Sequence, residues 1–111
     1  MIQSVDFLTG AVVQELRPVC DYWQLVTDGP IVSLYNPFQV FLPHQEQPSH
    51  HWDCGMVEGQ TVVSECCEED AYYQITLGNG VRLQISLRPE DYTGPEGVYI
   101  LNSNAGLFLV F

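Results

Sequence analysis

"AYYQITLGNGVRLQISL", residues 71–87, decides the fold. Tyr73, Ile75 and Leu77 alternate with Tyr72, Gln74 and Thr76. Beyond the glycines, Val81, Leu83, Ile85 and Leu87 alternate with Arg82, Gln84 and Ser86. A period of two puts every second side chain on one face, so each arm reads as a half-buried strand with its aliphatic face inward. Asn79-Gly80 between the arms is a turn dipeptide whose tolerance of positive φ suits the twist of an antiparallel hairpin.

The same order of residues occurs earlier in the chain. "LTGAVVQELRPVCDYWQLVTDGPIVSLYNP" (8–37) and "VEGQTVVSECCEEDAYYQITLGNGVRLQISLRP" (57–89) share a glycine, a β-branched run, an acidic patch, a Tyr-aromatic-Gln-aliphatic stretch, a glycine turn, an aliphatic run and a proline. Gly10 matches Gly59, Tyr22 matches Tyr72, Gly29 matches Gly80 and Pro37 matches Pro89, so the offset grows from 49 to 52 and the insertions fall in loops. The first copy thus repeats the hairpin about Asp28-Gly29, with Trp23 and Leu25 facing Val32 and Leu34.

Each copy implies three strands, near 11–16, 21–27 and 31–35 and again near 60–66, 71–77 and 81–87. "FQVFL" (38–42) extends the first copy. "VYILNSNAGLFLVF" (98–111) reads as a last hairpin whose second arm, from Leu107 to Phe111, is apolar on both faces and so is expected to be a central strand. Helical spacing nowhere exceeds about two turns; residues 1–7 and 89–96 are the two places where a short helix fits. The expectation is a single all-β domain over 1–111: two related antiparallel three-stranded meanders plus a C-terminal hairpin, packed as a sandwich or a small open barrel, with 43–56 as the linker.

The charge balance narrows the class of partner. Fourteen carboxylates face three arginines and no lysine, for a net charge of −11. Only 15% of residues are charged, against about 25% ordinarily, so the imbalance comes from missing cations more than from added acid. Such a field repels nucleic acid and anionic lipid and steers a basic protein toward the chain. No apolar run approaches the ~20 residues that span a bilayer. "MIQSVDFLTG" has neither a cationic start nor an apolar block, so it does not read as a secretory signal, and cytoplasmic residence is expected. Cys20, Cys54, Cys66 and Cys67 are then expected to be free thiols.

Two stretches collect chemistry-bearing residues. "PSHHWDCG" (48–55), with His44 just upstream, holds His44, His50, His51 and Cys54, all able to bind a metal. Their spacing matches no recognised ligand pattern, they lie on a linker, and the other copy has no counterpart. The expectation is therefore a polar linker anchored by Trp52, with no cofactor. A Cys–His nucleophile at Cys54 lacks a third group to orient the imidazole, so an enzyme is not expected. The acidic run "ECCEED" (65–70) reads as a turn bearing Glu65, Glu68, Glu69 and Asp70; Glu90 and Asp91 follow in the connector. Tyr72 and Tyr92 stand beside these acids, and tyrosine is enriched where proteins dock.

The order G-x-x-V, Y-x-L/I, D/N-G, aliphatic-x-I/L, Pro, repeated and followed by "GPEG" and an apolar terminal stretch, resembles small acidic bacterial β-proteins grouped with the immunity proteins of toxin–immunity systems. The resemblance covers most of the chain, and its motifs mark turns and strand faces. It implies a non-catalytic inhibitor that blocks a basic partner such as a nuclease toxin. On this reading Glu65, Glu68, Glu69, Asp70, Tyr72, Glu90, Asp91 and Tyr92 form the contact surface of a monomer or homodimer. The alternatives are a small-ligand or metal-binding β domain using the 44–54 loop, and a structural subunit that self-associates.

Overall fold

A computed structural model of the chain describes residues 2–102 and 107–111, with 107–110 described by their backbone. Among the described residues ten strands run in order: β1 (Ile2–Val5), β2 (Val13–Val19), β3 (Tyr22–Thr27), β4 (Ile31–Leu34), β5 (Phe38–Phe41), β6 (Val62–Glu68), β7 (Tyr72–Leu77), β8 (Arg82–Ser86), β9 (Val98–Asn102) and β10 (Leu107–Val110). Single 3-10 turns occupy Cys54–Met56 and Pro89–Asp91. The protein is all-β, with two five-stranded antiparallel sheets and no closed barrel. The front sheet has the order β1-β6-β7-β8-β5 and the back sheet β10-β9-β4-β3-β2.

Alternation drives both sheets. In the β7–β8 hairpin Tyr73 pairs with Ile85 and Ile75 with Leu83, and all four side chains are fully buried. In the β3–β4 hairpin Leu25 pairs with Val32 and Trp23 with Leu34; Leu25, Val32 and Leu34 are buried while Trp23 is half-buried. The Asn79-Gly80 turn differs in one respect from the sequence expectation. Gly80 alone adopts positive φ, at +90°, while the Asn79 side chain accepts from Val81 N (3.1 Å) and donates to Met56 O (2.9 Å). The asparagine thus fixes the turn through its amide and leaves the left-handed residue to glycine.

The inward faces of the sheets share one core, in which Leu16, Leu25, Val32 and Ile100 of the back sheet meet Ile75, Leu83, Ile85 and Val40 of the front. Near β2 and β6 the sheets are tied by the Val12–Thr61 bridge, with Val13 N donating to Gln60 O and Gly59 N to Val13 O. Both strands carry a bulge, between Val13 and Glu15 and between Val62 and Ser64. An extra residue reverses the inward parity of a strand. Val13 and Leu16 accordingly both face the core, as do Val62 and Glu65.

Three expectations are corrected, and β9 takes a place that the sequence left open. β5 does not extend the sheet of its own meander: Phe38 pairs with Ile85 and Val40 with Leu83, so β5 crosses to the front sheet. β9, which follows β8, crosses the other way and pairs with β4. Residues 2–5 form a strand and not a helix, because β6 offers them a free edge, with Ser4 opposite Cys66. β10 has β9 as its one neighbour and ends the back sheet, so it is an edge strand and not a central one; its side chains and the 103–106 turn lie outside the described residues.

Candidate functional site

The acidic segment divides into an inward and an outward part. Glu65 is 4% exposed, and its carboxylate accepts from Leu8 N (2.9 Å), Phe7 N (3.1 Å), Thr9 Oγ1 (2.6 Å) and the Tyr73 hydroxyl (2.5 Å). The bulge in β6 turns this residue inward, so the reading of Glu65 as a surface turn residue is corrected. Four donors satisfy the buried carboxylate in place of a cation, and in doing so they fasten residues 7–9 to the front sheet. Burial, with the neighbouring Glu65 carboxylate and its hydrogen bond, pushes the Tyr73 hydroxyl far above its ordinary value of 10.0. The sequence did hold a signal for this: Leu16 lies 49 positions before Glu65, the offset at which Gly10 precedes Gly59, and it too is buried.

The outward acids gather at one end. Glu68 closes β6 opposite Tyr72, and exposed Glu69 and Asp70 make the β6–β7 turn, where Asp70 has φ +58°. The backbone then brings the β8–β9 connector alongside, as Leu87 N donates to Ala71 O (2.9 Å). Glu69, Asp70 and Tyr92 consequently line one cleft of about 380 Å³, floored by Leu87 and Phe111. Tyr72 and Asp91 line the adjoining groove of about 160 Å³ with Arg88, and the Asp91 carboxylate accepts from the Ser86 hydroxyl. Glu90 is exposed on the Pro89–Asp91 turn between them. Burial and then the Asp70 charge push the Tyr92 hydroxyl up; burial, then Cys66 and Glu68 nearby, do the same for Tyr72. Both phenols are therefore neutral donors at pH 7.

Arginine neutralises little of this end. Within 4.0 Å the one ion pair among the described residues is Arg17 with Glu15, at 3.7 Å, and Arg17 also donates to Gln24 Oε1 (2.9 Å). Arg82 stacks over the Phe41 ring, 4.7 Å from its centroid, and donates to Gln45 O.

The histidine loop is arranged differently. His44, His50 and His51 are all exposed, whereas the Cys54 thiol turns inward and donates to Leu16 O (3.1 Å). Burial, with Glu58 and Asp53 nearby, raises the Cys54 thiol further, which leaves it a protonated, weak nucleophile at pH 7. The described residues contain no group of three or more His, Cys, Asp or Glu side chains that could hold a metal ion. All four cysteines are free thiols. Burial likewise raises Cys66 and Cys67.

Sequence reasoning missed an aromatic groove on the side where β4 crosses to β5. Trp23 of β3, Phe38 of β5 and Trp52 of the histidine loop form a cluster with ring centroids 5.7, 5.8 and 5.9 Å apart. Tyr22 and Tyr35 pair at 4.9 Å. All five rings are half-buried and line an open groove of about 410 Å³.

No helix among the described residues is long and apolar enough to cross a membrane. Compared with protein-family models, curated proteins and solved structures, the chain finds no match.

Proposed function

We propose that the protein is a non-catalytic, cytoplasmic inhibitory binding protein of the immunity type, which neutralises a basic partner such as a nuclease toxin through its acidic end. The observation that carries this reading is the convergence of Glu69, Asp70 and Tyr92 on one cleft, with Tyr72 and Asp91 along the next and no arginine within 4.0 Å of these carboxylates. Unpaired carboxylates attract a cationic groove that otherwise takes phosphates, and the neutral phenols add area that can be desolvated with a polar tip left to bond. Glu68 and Glu90 widen the field, while Glu65 takes no part because it serves the core.

An internal duplication belongs to the same reading. It is supported by the two bulges at matching places, by left-handed Cys20 and Asp70 in the corresponding turns, and by Gly10 and Gly59 with φ +94° and +83°.

The test is capture of a basic protein from native cytosol at low salt, followed by its association rate against ionic strength. Converting Glu68, Glu69 and Asp70 together to lysine should slow association at least about tenfold at low salt and flatten its salt dependence. An unchanged rate and salt slope would falsify the proposal.

A further inference from the structure

We propose that the aromatic groove at the β4–β5 crossing is a second binding site, for a proline-rich peptide segment flanked by basic residues. Three observations converge on this occupant. The groove takes its walls from two separate aromatic groups, the Trp23–Phe38–Trp52 cluster and the Tyr22–Tyr35 pair. Within the cluster the rings already pack on one another at 5.7–5.9 Å, leaving no space to cage a single cation. What they present is a ridged apolar surface, the kind on which the pyrrolidine rings of a polyproline II helix seat.

Charge sets the flanks. Asp21 stands at the groove, and Glu96 lines a neighbouring hollow of about 280 Å³ that shares Tyr35 and Thr93 with it. In a chain with net charge −11, both favour arginine or lysine on the incoming segment and disfavour an acidic one.

The wall of the groove also carries an unmet hydrogen-bonding group. Asn36, 2% exposed, donates from its amide nitrogen to Ser86 O (2.8 Å), while its Oδ1 has no partner among the described residues. Such a buried acceptor is costly, and a small shift on binding would let an N–H of a flanking arginine reach it, proline having none to give. A polyproline II helix keeps its backbone unpaired and lies preformed, so seating it orders little chain.

The two tryptophans of the chain are both in this groove, so indole fluorescence and the two indole N–H resonances report on it directly. The probes are acetyl-Arg-(Pro)6-Arg-amide, acetyl-Arg-(Gly-Ser)3-Arg-amide of equal charge and length, and uncharged octaproline. The arginine-flanked proline peptide should bind saturably and shift both indole signals, the Gly-Ser peptide at least about tenfold more weakly, and octaproline between them. Asp21→Asn, a change at an exposed side chain, should weaken the arginine-flanked peptide and leave octaproline unaffected. Trp52→Ala should weaken both proline peptides about tenfold or more. Octaproline should bind the Glu68, Glu69 and Asp70 lysine variant as it binds the wild type, which separates this site from the acidic end. Equal binding of the Gly-Ser and proline peptides, unmoved indole signals at millimolar peptide, or an Asp21→Asn effect on octaproline alone would each overturn the proposal.

Discussion

Glu65 and Tyr73 form a buried pair in which hydroxyl and carboxylate share a 2.5 Å hydrogen bond, and three further donors from residues 7–9 complete the shell. Glu65→Ala would strand these donors in the core and should cost about 3–5 kcal/mol in urea unfolding, since each buried unmet group costs about 1–3 kcal/mol. A loss below about 1 kcal/mol would mean that water replaces the carboxylate. Tyr73→Phe removes one donor and should cost about 1.5–3 kcal/mol, as expected for a hydrogen bond to a charged group. The pH dependence has a definite sign. The Tyr73 hydroxyl is raised in the folded protein above its ordinary 10.0, so its stabilising contribution is complete below pH 10. Above that value the unfolded chain releases the proton and the folded chain holds it, and stability declines. Stability measured from pH 8 to 11 should fall beyond pH 10 in the wild type and less steeply in Tyr73→Phe.

At the level of strands, Ile75→Ala should cost about 2–5 kcal/mol by leaving a cavity between the sheets, whereas Gln74→Ala, half-buried on the outward face, should stay within about 1 kcal/mol. Replacing exposed His50 and His51 together by alanine should shift stability by less than about 0.5 kcal/mol, and stoichiometric zinc lost in that double variant would contradict the description of the loop. The β3–β4 and β7–β8 hairpins were legible in the sequence because their parity is unbroken and a glycine marks each turn. Parity is also what concealed Glu65: the β6 bulge shifts the inward set by one residue, and four acids in six positions imitate an exposed turn. The destination of β5 was not legible, since Phe38–Phe41 buries Val40 and Phe41 and a four-residue strand has the same pattern in either sheet. The aromatic groove escaped for a related reason: Trp23, Phe38 and Trp52 come from three elements joined only by the crossing.

For the whole molecule, a radius of gyration of 12.9 Å is close to the ~13 Å of a folded 100-residue domain, and both the aromatic groove and the acidic end lie on its surface. Exposed charges there act collectively over a screening length of about 8–10 Å. Neutralising Glu69 alone should therefore change association at low salt by less than about threefold, while the triple lysine variant should slow it at least about tenfold. The triple variant omits Glu65, because a lysine at that buried site would unfold the chain and confound the measurement.

The exchange of β5 and β9 between sheets reaches beyond the finished structure to its birth on the ribosome. When residue 42 has left the exit tunnel, β5 has no neighbour, because β8 has yet to emerge, and β4 keeps an open edge until β9 emerges. Neither the strands before residue 42 nor those after it complete a sheet among themselves, so strand edges stay bare until β9 has emerged. Cut in the exposed stretch between Gln45 and Gln47, the two fragments should each be unfolded by circular dichroism. Mixed at equal concentration they should reassemble into the native spectrum, because each carries two strands of the other's sheet.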